Sequence, residues 1–274
     1  MHMKLVFLLA VQFVCSTVLA SPSLVLARAP QLSPSIISQQ WGPFIKHLSV
    51  TTGIDITLKV YTDRASFEHD ILAGKVDLYF GNPGYGIIGH LLHGYTPIIR
   101  SNRKLLEGIL VVKKDSGIKN IEQLNNKIIA FPDENAFAAS LYIRARMNSD
   151  LKIDFQPLYT GSHNNSYRAV LIGKAAAGGG VQRTLENEDS ALREQLLTIY
   201  TTPGMKSHPL MIHPKVSENI RNSIQQAILD MDTDSAGKKL LKTIKLQQPV
   251  IADYLRDYKS VESFAIEAYQ NMMP

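Results

Sequence analysis

Residues 54–80 read IDITLKVYTDRASFEHDILAGKVDLYF and contain one complete strand–helix–strand unit. The apolar run over 54–61 predicts a strand, and the apolar positions within 67–72 mark one face of a helix. Gly74-Lys75 predicts a turn, after which residues 76–80 return to an apolar strand. Strands that alternate with helices in this way predict a parallel α/β sheet.

The same order of features recurs near residue 153. Ile153-Asp154-Phe155 repeats the pattern of Ile54-Asp55-Ile56, which lies 99 residues earlier. Gly74 and Gly173 have the same separation, and each stands before a lysine and an apolar strand. Two copies of one plan predict an α/β fold of two Rossmann-like lobes, each built on a mixed, mostly parallel sheet.

Two apolar segments predict where the chain passes between the lobes. Gly108–Lys113 is taken as the first crossing, and Leu196–Tyr200 with the Thr-Thr-Pro-Gly that follows as the return, which makes a two-crossing hinge. The predicted lobe one comprises residues 21–108 and 205–274, and lobe two comprises residues 109–204. The helical tail of the chain is expected to pack on lobe one.

The N-terminus has the layout of a secretory signal peptide. Lys4 precedes an apolar run that ends in small residues at Ala20, so residues 1–20 are expected to be removed by cleavage before Ser21. Gln12 interrupts the apolar run too early for a membrane span, which needs roughly 20 apolar residues. The mature chain is therefore expected in the periplasm.

Cysteine content and charge narrow the class of protein. Cys15 is the only cysteine and lies within the signal peptide, so the mature chain is expected to use neither disulfides nor a thiol nucleophile. Val14 is not the small residue that lipoprotein processing usually requires before its cysteine, although lipidation at Cys15 stays an alternative. The formal net charge is +5, but basic and acidic residues are mixed along the chain, so nucleic acid is not an expected partner.

Ligands of parallel α/β sheets bind at the carboxyl ends of the strands. Four predicted loops meet that description: residues 61–63, 80–85, 131–137 and 159–166. In the last loop, Ser162, His163 and Asn164 open a helix with a hydroxyl, an imidazole and an amide beside free backbone N–H groups, which suits an anion. Capping of the helix by Ser162 or Asn164, worth about 1 kcal/mol, is the alternative explanation.

Other polar residues lie in or near these loops. Tyr61 and Tyr85 can each donate a phenolic hydrogen bond, or only pack against the core. Asn82 lies in a turn after a strand, and Arg183 follows Gly178-Gly179-Gly180, where it can act as a counter-ion or simply be exposed. The chain has no phosphate-loop, Gly-x-Ser-x-Gly or His-Glu-x-x-His motif, so neither catalysis nor a metal or other cofactor is expected.

Thr160–Val170, continued by Gly173-Lys174 and Gly178-Gly179-Gly180, resembles the second-lobe signature of the periplasmic proteins that bind phosphate, phosphite or phosphonate for ABC transporters. The resemblance implies the type 2 periplasmic-binding-protein fold. It also implies that the ligand lies between hinged lobes, held by helix N-termini, hydroxyls, a histidine and tyrosines.

Carried over by this resemblance, the ligand-holding histidine is His163, beside Ser162, and the tyrosine-bearing loops contain Tyr61 and Tyr85. One stretch departs from the family. Where its members commonly have a hydroxyl-rich Ser-Thr-Ser run after an Asp-Pro pair, this chain has Asp133-Glu134-Asn135-Ala136-Phe137-Ala138, without hydroxyls at 136–138. Backbone N–H groups can still bind an anion there, and Phe137 can stack on a ligand that has an apolar part.

The expected function is that of a monomeric periplasmic solute-binding protein that closes over a small anion, a phosphate, phosphite or phosphonate, for uptake through the membrane permease of an ABC transporter. The expected ligand-binding residues are Tyr61, Asn82, Tyr85, Asn135, Ala136, Phe137, Ser162, His163, Asn164 and Arg183. Two alternatives stay open: a ligand-sensing module that feeds a membrane signalling protein, and an enzyme on the same scaffold.

Overall fold

The computed structural model describes residues 23–269, so the predicted signal peptide lies outside the described residues. Within this range the strands are β1 (Ser23–Arg28), β2 (Asp55–Lys59), β3 (Leu78–Phe80), β4 (Thr96–Ser101), β5 (Gly108–Lys113), β6 (Lys127–Phe131), β7 (Phe155–Tyr159), β8 (Ala177–Val181), β9 (Leu196–Thr201), β10 (Pro209–Ile212) and β11 (Pro249–Ile251).

The helices in the same range are α1 (Pro34–Thr52), α2 (Arg64–Leu72), α3 (Pro83–His93), α4 (Tyr142–Ala145), α5 (His163–Leu171), α6 (Gln182–Glu186), α7 (Ser190–Arg193), α8 (Glu218–Asp230), α9 (Ser235–Thr243), α10 (Tyr254–Asp257) and α11 (Glu262–Tyr269). Two π-helical turns, Phe137–Leu141 and Arg146–Asp150, flank α4. Two 3₁₀ turns lie at Ile121–Leu124 and Lys259–Val261.

The strands of residues 23–269 form two sheets, in the orders β11-β4-β10-β3-β1-β2 and β7-β6-β8-β5-β9. β1 is parallel to β2 and β3, and β6 is parallel to β7 and β8. β5, β10 and β11 are antiparallel to their neighbours. The predicted pair of mixed α/β sheets is confirmed. Parallel pairs do not predominate, however, because the strands that follow each crossing, β5 and β10, enter the new sheet antiparallel.

The predicted duplication is present in the strand pairing. In the first copy β2 and β3 lie on either side of β1, and in the second copy β7 and β8 lie on either side of β6. The turn before the last strand of each copy needs a left-handed residue, with φ of 63° at Gly74 and 72° at Gly173. The two copies are therefore equivalent in structure as well as in sequence.

Helix α1 shows how the sequence pattern produces the core of the first lobe. Pro34 lies in its first turn, and Gly53 ends it in the left-handed conformation with a φ of 69°. The apolar residues at helical spacing are all buried in one cluster with the first sheet and α8: Ile37, Trp41, Phe44, Ile45 and Leu48. The predicted helix and its core-facing side are confirmed.

Residues 102–107 and 202–208 connect the two sheets. Leu106 and Met205 pair side by side, with backbone N–H···O distances of 2.8 and 3.0 Å. The Gly108 N–H donates to Thr202 Oγ1 at 3.0 Å. Gly108–Lys113, predicted as the first crossing, is β5 of the second sheet and thus follows that crossing.

The end of the chain contacts both lobes. Ring centroids of Phe264 and Tyr142 of α4 are 4.9 Å apart, and those of Tyr269 and Tyr85 of α3 are 5.5 Å apart. Helix α8 packs on the first sheet as predicted, whereas α11 lies across the junction between the lobes. Within residues 23–269, no helix is both long enough and apolar enough to cross a membrane.

Candidate functional site

The two tyrosines of the predicted site donate to carboxylates of α2. The Tyr61 hydroxyl donates to Asp70 Oδ2 at 2.9 Å, and the Tyr85 hydroxyl donates to Glu68 Oε1 at 2.5 Å. Burial raises the pKa of both phenols well above the ordinary value, and burial also raises the pKa of Glu68. In this conformation both tyrosines belong to the core of the first lobe.

Asn82 and Asn135 have structural partners on the same side of the molecule. The Asn82 side chain caps α3 by accepting from the Tyr85 N–H at 3.0 Å. Asn135, in the loop after β6, donates through Nδ2 to Glu68 Oε1 at 3.3 Å and so joins the two lobes. The Arg64–Asp133 ion pair lies across the same junction.

Phe137 fills the space between α3 and α11. Its side chain is 2 % exposed, and its ring lies parallel to that of Tyr142 with centroids 6.3 Å apart. A Cβ built at Gly84 would lie 2.7 Å from the rings of both Phe137 and Tyr269, so the close packing requires glycine there. The ring therefore has no open face for a ligand here, and Ala136, at the preceding turn, supplies no side-chain cap.

The start of α5 contains both a cap and a buried imidazole. Ser162 Oγ accepts from the Asn165 N–H at 3.2 Å, as the capping explanation predicts, and the Asn164 side chain is exposed. His163 Nδ1 is buried and has no hydrogen-bond partner within the described residues. Burial, and secondarily the charge of Lys245, lower the pKa of His163 to about 4. His163 is neutral at neutral pH.

A cavity of about 620 Å³ lies between the sheets on the side of the two crossings. The carboxyl ends of three strands open into it, at Arg28 of β1, Phe80 of β3 and Val181 of β8. The crossings and the loop after α9 complete its walls. Because ligands of such sheets bind at strand carboxyl ends between the lobes, this cavity has the position expected of a ligand site.

Arg28 is a buried cation in the wall of this cavity. It is 7 % exposed, and its guanidinium lies 5.5 Å from the Trp41 ring and 5.3 Å from the Phe80 ring. Its Nη atoms donate to the Ala29 carbonyl at 2.7 Å and to Gln31 Oε1 at 2.9 Å. Burial lowers its pKa to about 10. In the part of the chain that the structure describes, no carboxylate forms an ion pair with it.

Further positive charge surrounds Arg28. Arg183 of α6 and Lys245 also line the cavity, and neither has an ion-pair partner among the side chains that the structure describes. Burial lowers the pKa of Lys245, and the charges of Arg183 and Arg28 lower it further. Burial, with the same three cations, lowers the pKa of His208 to about 3, so this histidine is neutral. The cations are close enough to repel one another, which costs free energy unless an anion is present.

The backbone at Lys245 is itself strained. This residue follows the end of α9 with a φ of 62°, in the left-handed region. At the equivalent position, two residues after the last helical residue, α2 and α5 are followed by Gly74 and Gly173, with φ of 63° and 72°. A left-handed L-residue costs about 1–2 kcal/mol, so a lysine here is kept at the expense of stability.

A second cavity, of about 470 Å³, lies in the second lobe. It is lined by residues near the amino ends of β6 and β8, among them Lys127, Ile128 and Ala176. Ligand sites of α/β sheets lie at the opposite ends of the strands. This cavity is therefore not the candidate site.

Arg28, His208 and Lys245 line the cavity and were not among the expected ligand-binding residues. Arg28 could have been recognised from the sequence as a ligand-binding residue, because it is a basic residue at the carboxyl end of the first apolar strand. No sequence feature indicates Lys245 as a ligand-binding residue, since its neighbours in the cavity are distant in sequence. Of the expected residues that the structure describes, Arg183 is the one that lines the cavity.

Comparison with known proteins places this chain in a family. The family model described as "ABC transporter, phosphonate, periplasmic substrate-binding protein" matches residues 26–258. The phosphate-import protein PhnD of Mycolicibacterium smegmatis (strain ATCC 700084 / mc(2)155) is 23% identical over 199 residues, which cover 65% of this chain and 62% of the relative. The aligned region thus spans less than two thirds of the relative's length.

Solved structures share the fold at low sequence identity. PhnD1 from Prochlorococcus marinus (MIT 9301), in complex with methylphosphonate, is 17% identical, with a TM-score of 0.74 over 91% of this chain and 98% of its own. XAC2383 from Xanthomonas citri, bound to ATP, is 15% identical, with a TM-score of 0.80 over 91% and 99%. The predicted type 2 periplasmic-binding-protein fold is confirmed by these similarities. The chain belongs to the phosphonate periplasmic substrate-binding protein family of ABC transporters.

Proposed function

We propose that this chain is a periplasmic solute-binding protein that captures a phosphorus oxyanion in the cavity between its sheets for ABC-type uptake. The observation that carries the proposal is the buried Arg28, whose charge has no carboxylate partner among the described residues. A buried cation without a counter-ion is costly, whereas a bound anion would compensate it.

Both lobes supply charge to the cavity. Arg28 and Lys245 belong to the side of the first sheet, whereas Arg183 follows β8 of the second. An anion bound by all three would favour the arrangement in which the lobes are close, and ligand binding would thereby shift the population of open and closed forms. We place the lobes at residues 21–108 with 205–274 and at residues 109–204.

The ligands of proteins with the same fold support an anionic ligand. Methylphosphonate is bound by PhnD1 of P. marinus, and chloride or ATP by XAC2383 of X. citri. All three are anions, although they differ greatly in size. For this chain they suggest the charge of the ligand rather than its identity.

The other expected ligand-binding residues remain a separate proposal with a defined test. In this structure Tyr61, Asn82, Tyr85 and Asn135 hydrogen-bond to protein groups. If they contact the ligand in another arrangement of the lobes, Tyr85→Phe will weaken anion binding. If they only stabilise the lobes, the same substitution will change stability and leave the affinity unaltered.

Export, partner and assembly complete the proposal. Cleavage after Ala20 would release the mature chain into the periplasm, where it would act as a monomer, without turnover of its ligand. Closure would present a joint surface of both lobes to a membrane permease. The mass of the secreted chain tests the cleavage site, and sedimentation tests the monomer.

The decisive experiment is a binding titration of the mature chain, unfolded and refolded to remove carried-over ligand. Phosphate, phosphite, methylphosphonate and sulfate are added, and the melting temperature is recorded. A ligand at 100 times its dissociation constant adds about 2.7 kcal/mol of stability.

Arg183→Gln should weaken that response. The matched control is Arg168→Gln, which removes an exposed arginine of the same lobe outside the cavity. Equal responses from the two variants, or no response to any anion, would contradict the proposal.

A further inference from the structure

The cavity is large for a bare oxyanion. Its volume of about 620 Å³ lies within the range of roughly 300–1,000 Å³ that is typical of sites for drug-sized ligands, whereas a phosphate or methylphosphonate ion has only a few non-hydrogen atoms. Sites of this volume usually hold organic molecules of tens of non-hydrogen atoms.

The charge of the cavity also exceeds what one phosphate group can neutralise. Within the described part of the chain, its charged lining residues are Arg28, Arg103, Lys104, Arg183, Lys245, Glu107 and Glu186. Lys104 pairs with Glu186 at 3.5 Å, and Glu107 offsets one further cation. Three positive charges remain, whereas a phosphate monoester carries about −1.5 to −2 at neutral pH.

One part of the wall is apolar and partly open. Leu105 and Leu106 of the first crossing, Val181 at the end of β8 and Ile244 after α9 contribute it. Leu105 is 50 % exposed, so part of this apolar surface faces water. A bare polyphosphate would gain nothing from these side chains, whereas an organic group packed on them would be removed from water.

From volume, charge and apolar wall together, we infer that the cavity binds an organic polyphosphate, with its phosphates on Arg28, Arg183 and Lys245 and its organic part on Leu105 and its apolar neighbours. This inference rests on the proposed function and names the ligand class of the same site. The number of cations favours a ligand with more than one phosphate group. The apolar wall favours an organic polyphosphate over an inorganic polyphosphate of the same charge.

The test is isothermal titration of the refolded mature chain at fixed ionic strength. The probes are ATP, inorganic tripolyphosphate, adenosine, phosphate and methylphosphonate. Tripolyphosphate has the phosphates without the organic part, and adenosine has the organic part without the charge. ATP is expected to bind at least tenfold more tightly than each of the other four.

Two variants separate the contribution of the organic part of the ligand to affinity from that of its phosphates. Leu105→Gln should weaken ATP binding severalfold and leave tripolyphosphate unchanged, because Leu105 is half exposed and its replacement should not disturb the fold. Arg183→Gln should weaken both ligands, and Arg168→Gln neither.

Each other outcome has a distinct meaning. Methylphosphonate or phosphate binding as tightly as ATP would overturn the inference and leave the proposed function standing. Tripolyphosphate binding as tightly as ATP would also overturn it, since the organic part would then contribute nothing. If none of the anions binds, the proposed function fails as well.

Discussion

Replacement of Arg28 by methionine separates ligand binding from stability. The pKa of Arg28 falls from 12.5 to about 10 on folding, so its burial in the charged form costs about 3 kcal/mol at neutral pH. Because the folded-state pKa is the lower one, this cost is fully present below pH 10. Methionine removes that cost and still packs between Trp41 and Phe80.

The hydrogen bonds of Arg28 oppose this gain. Its bonds to the Ala29 carbonyl and to Gln31 Oε1 are charge-assisted and worth about 1.5–3 kcal/mol each. Together the two bonds are worth about 3–6 kcal/mol and exceed the burial cost by at most about 3 kcal/mol, so Arg28→Met should lower the free energy of unfolding of the ligand-free protein by no more than about 3 kcal/mol. Loss of a buried, hydrogen-bonded charge should reduce anion affinity by about 2–5 kcal/mol, or at least 30-fold.

Arg100 provides the matched control. It is buried to the same degree, 6 % exposed, but Nε lies 3.1 Å from Asp257 Oδ2. Arg100→Met leaves the buried Asp257 with Arg256 as its one ion-pair partner among the described residues, beside the Asp253 N–H, so it should destabilise the protein by at least about 2 kcal/mol without altering anion affinity.

Urea unfolding measures the stability of both variants, and isothermal titration measures their affinities. A ligand-binding role for Arg28 is contradicted if Arg28→Met destabilises the ligand-free protein as much as Arg100→Met does while binding anions like the wild type. Arg28 would then be a structural residue, and the absence of a carboxylate partner among the described residues would have another cause.

Four further predictions follow from single contacts. Lys245→Gly should raise the melting temperature of the ligand-free protein, since glycine relieves a left-handed strain of about 1 kcal/mol, and should weaken anion binding; a lower melting temperature or an unchanged affinity would contradict it. Ser162→Ala should cost about 1 kcal/mol in urea unfolding by removing the cap of α5, with affinity intact; a loss of affinity would favour the anion-cradle explanation. Tyr85→Phe should cost about 1 kcal/mol in urea unfolding through the lost bond to Glu68. The pKa of His163 is lower folded than unfolded, so the unfolded chain binds more protons between pH 6.5 and 4; stability should fall on acidification through this window, and less so in His163→Gln.

The fold could be predicted from sequence because its signals are local. The spacing of Ile37, Trp41 and Phe44 depends only on the helical period. The left-handed Gly74 and Gly173 each mark the turn that lies a few residues before the last strand of its copy. The direction of β5 and β10 could not be read in this way. It depends on which sheet each strand joins after a crossing, and that is decided by contacts between distant segments.

The residues of the site were harder to predict from the sequence, for a related reason. Tyr61 and Tyr85 are suitable donors in sequence, but the carboxylates that accept from them, Asp70 and Glu68, are recognisable only once α2 is placed against both loops. The cavity brings Arg28 of β1 together with Arg183 of α6 and a lysine from the loop after α9. No spacing rule joins residues so far apart in the chain.

The most direct test of the central claim is a crystal structure of the mature protein soaked with tungstate, a heavy analogue of phosphate that is located by anomalous scattering. If the cavity is the anion site, tungsten will lie in it, in contact with Arg28, Arg183 and Lys245. A tungsten site between Tyr85 and the start of α5, at Ser162 and His163, with none in the cavity, would contradict it.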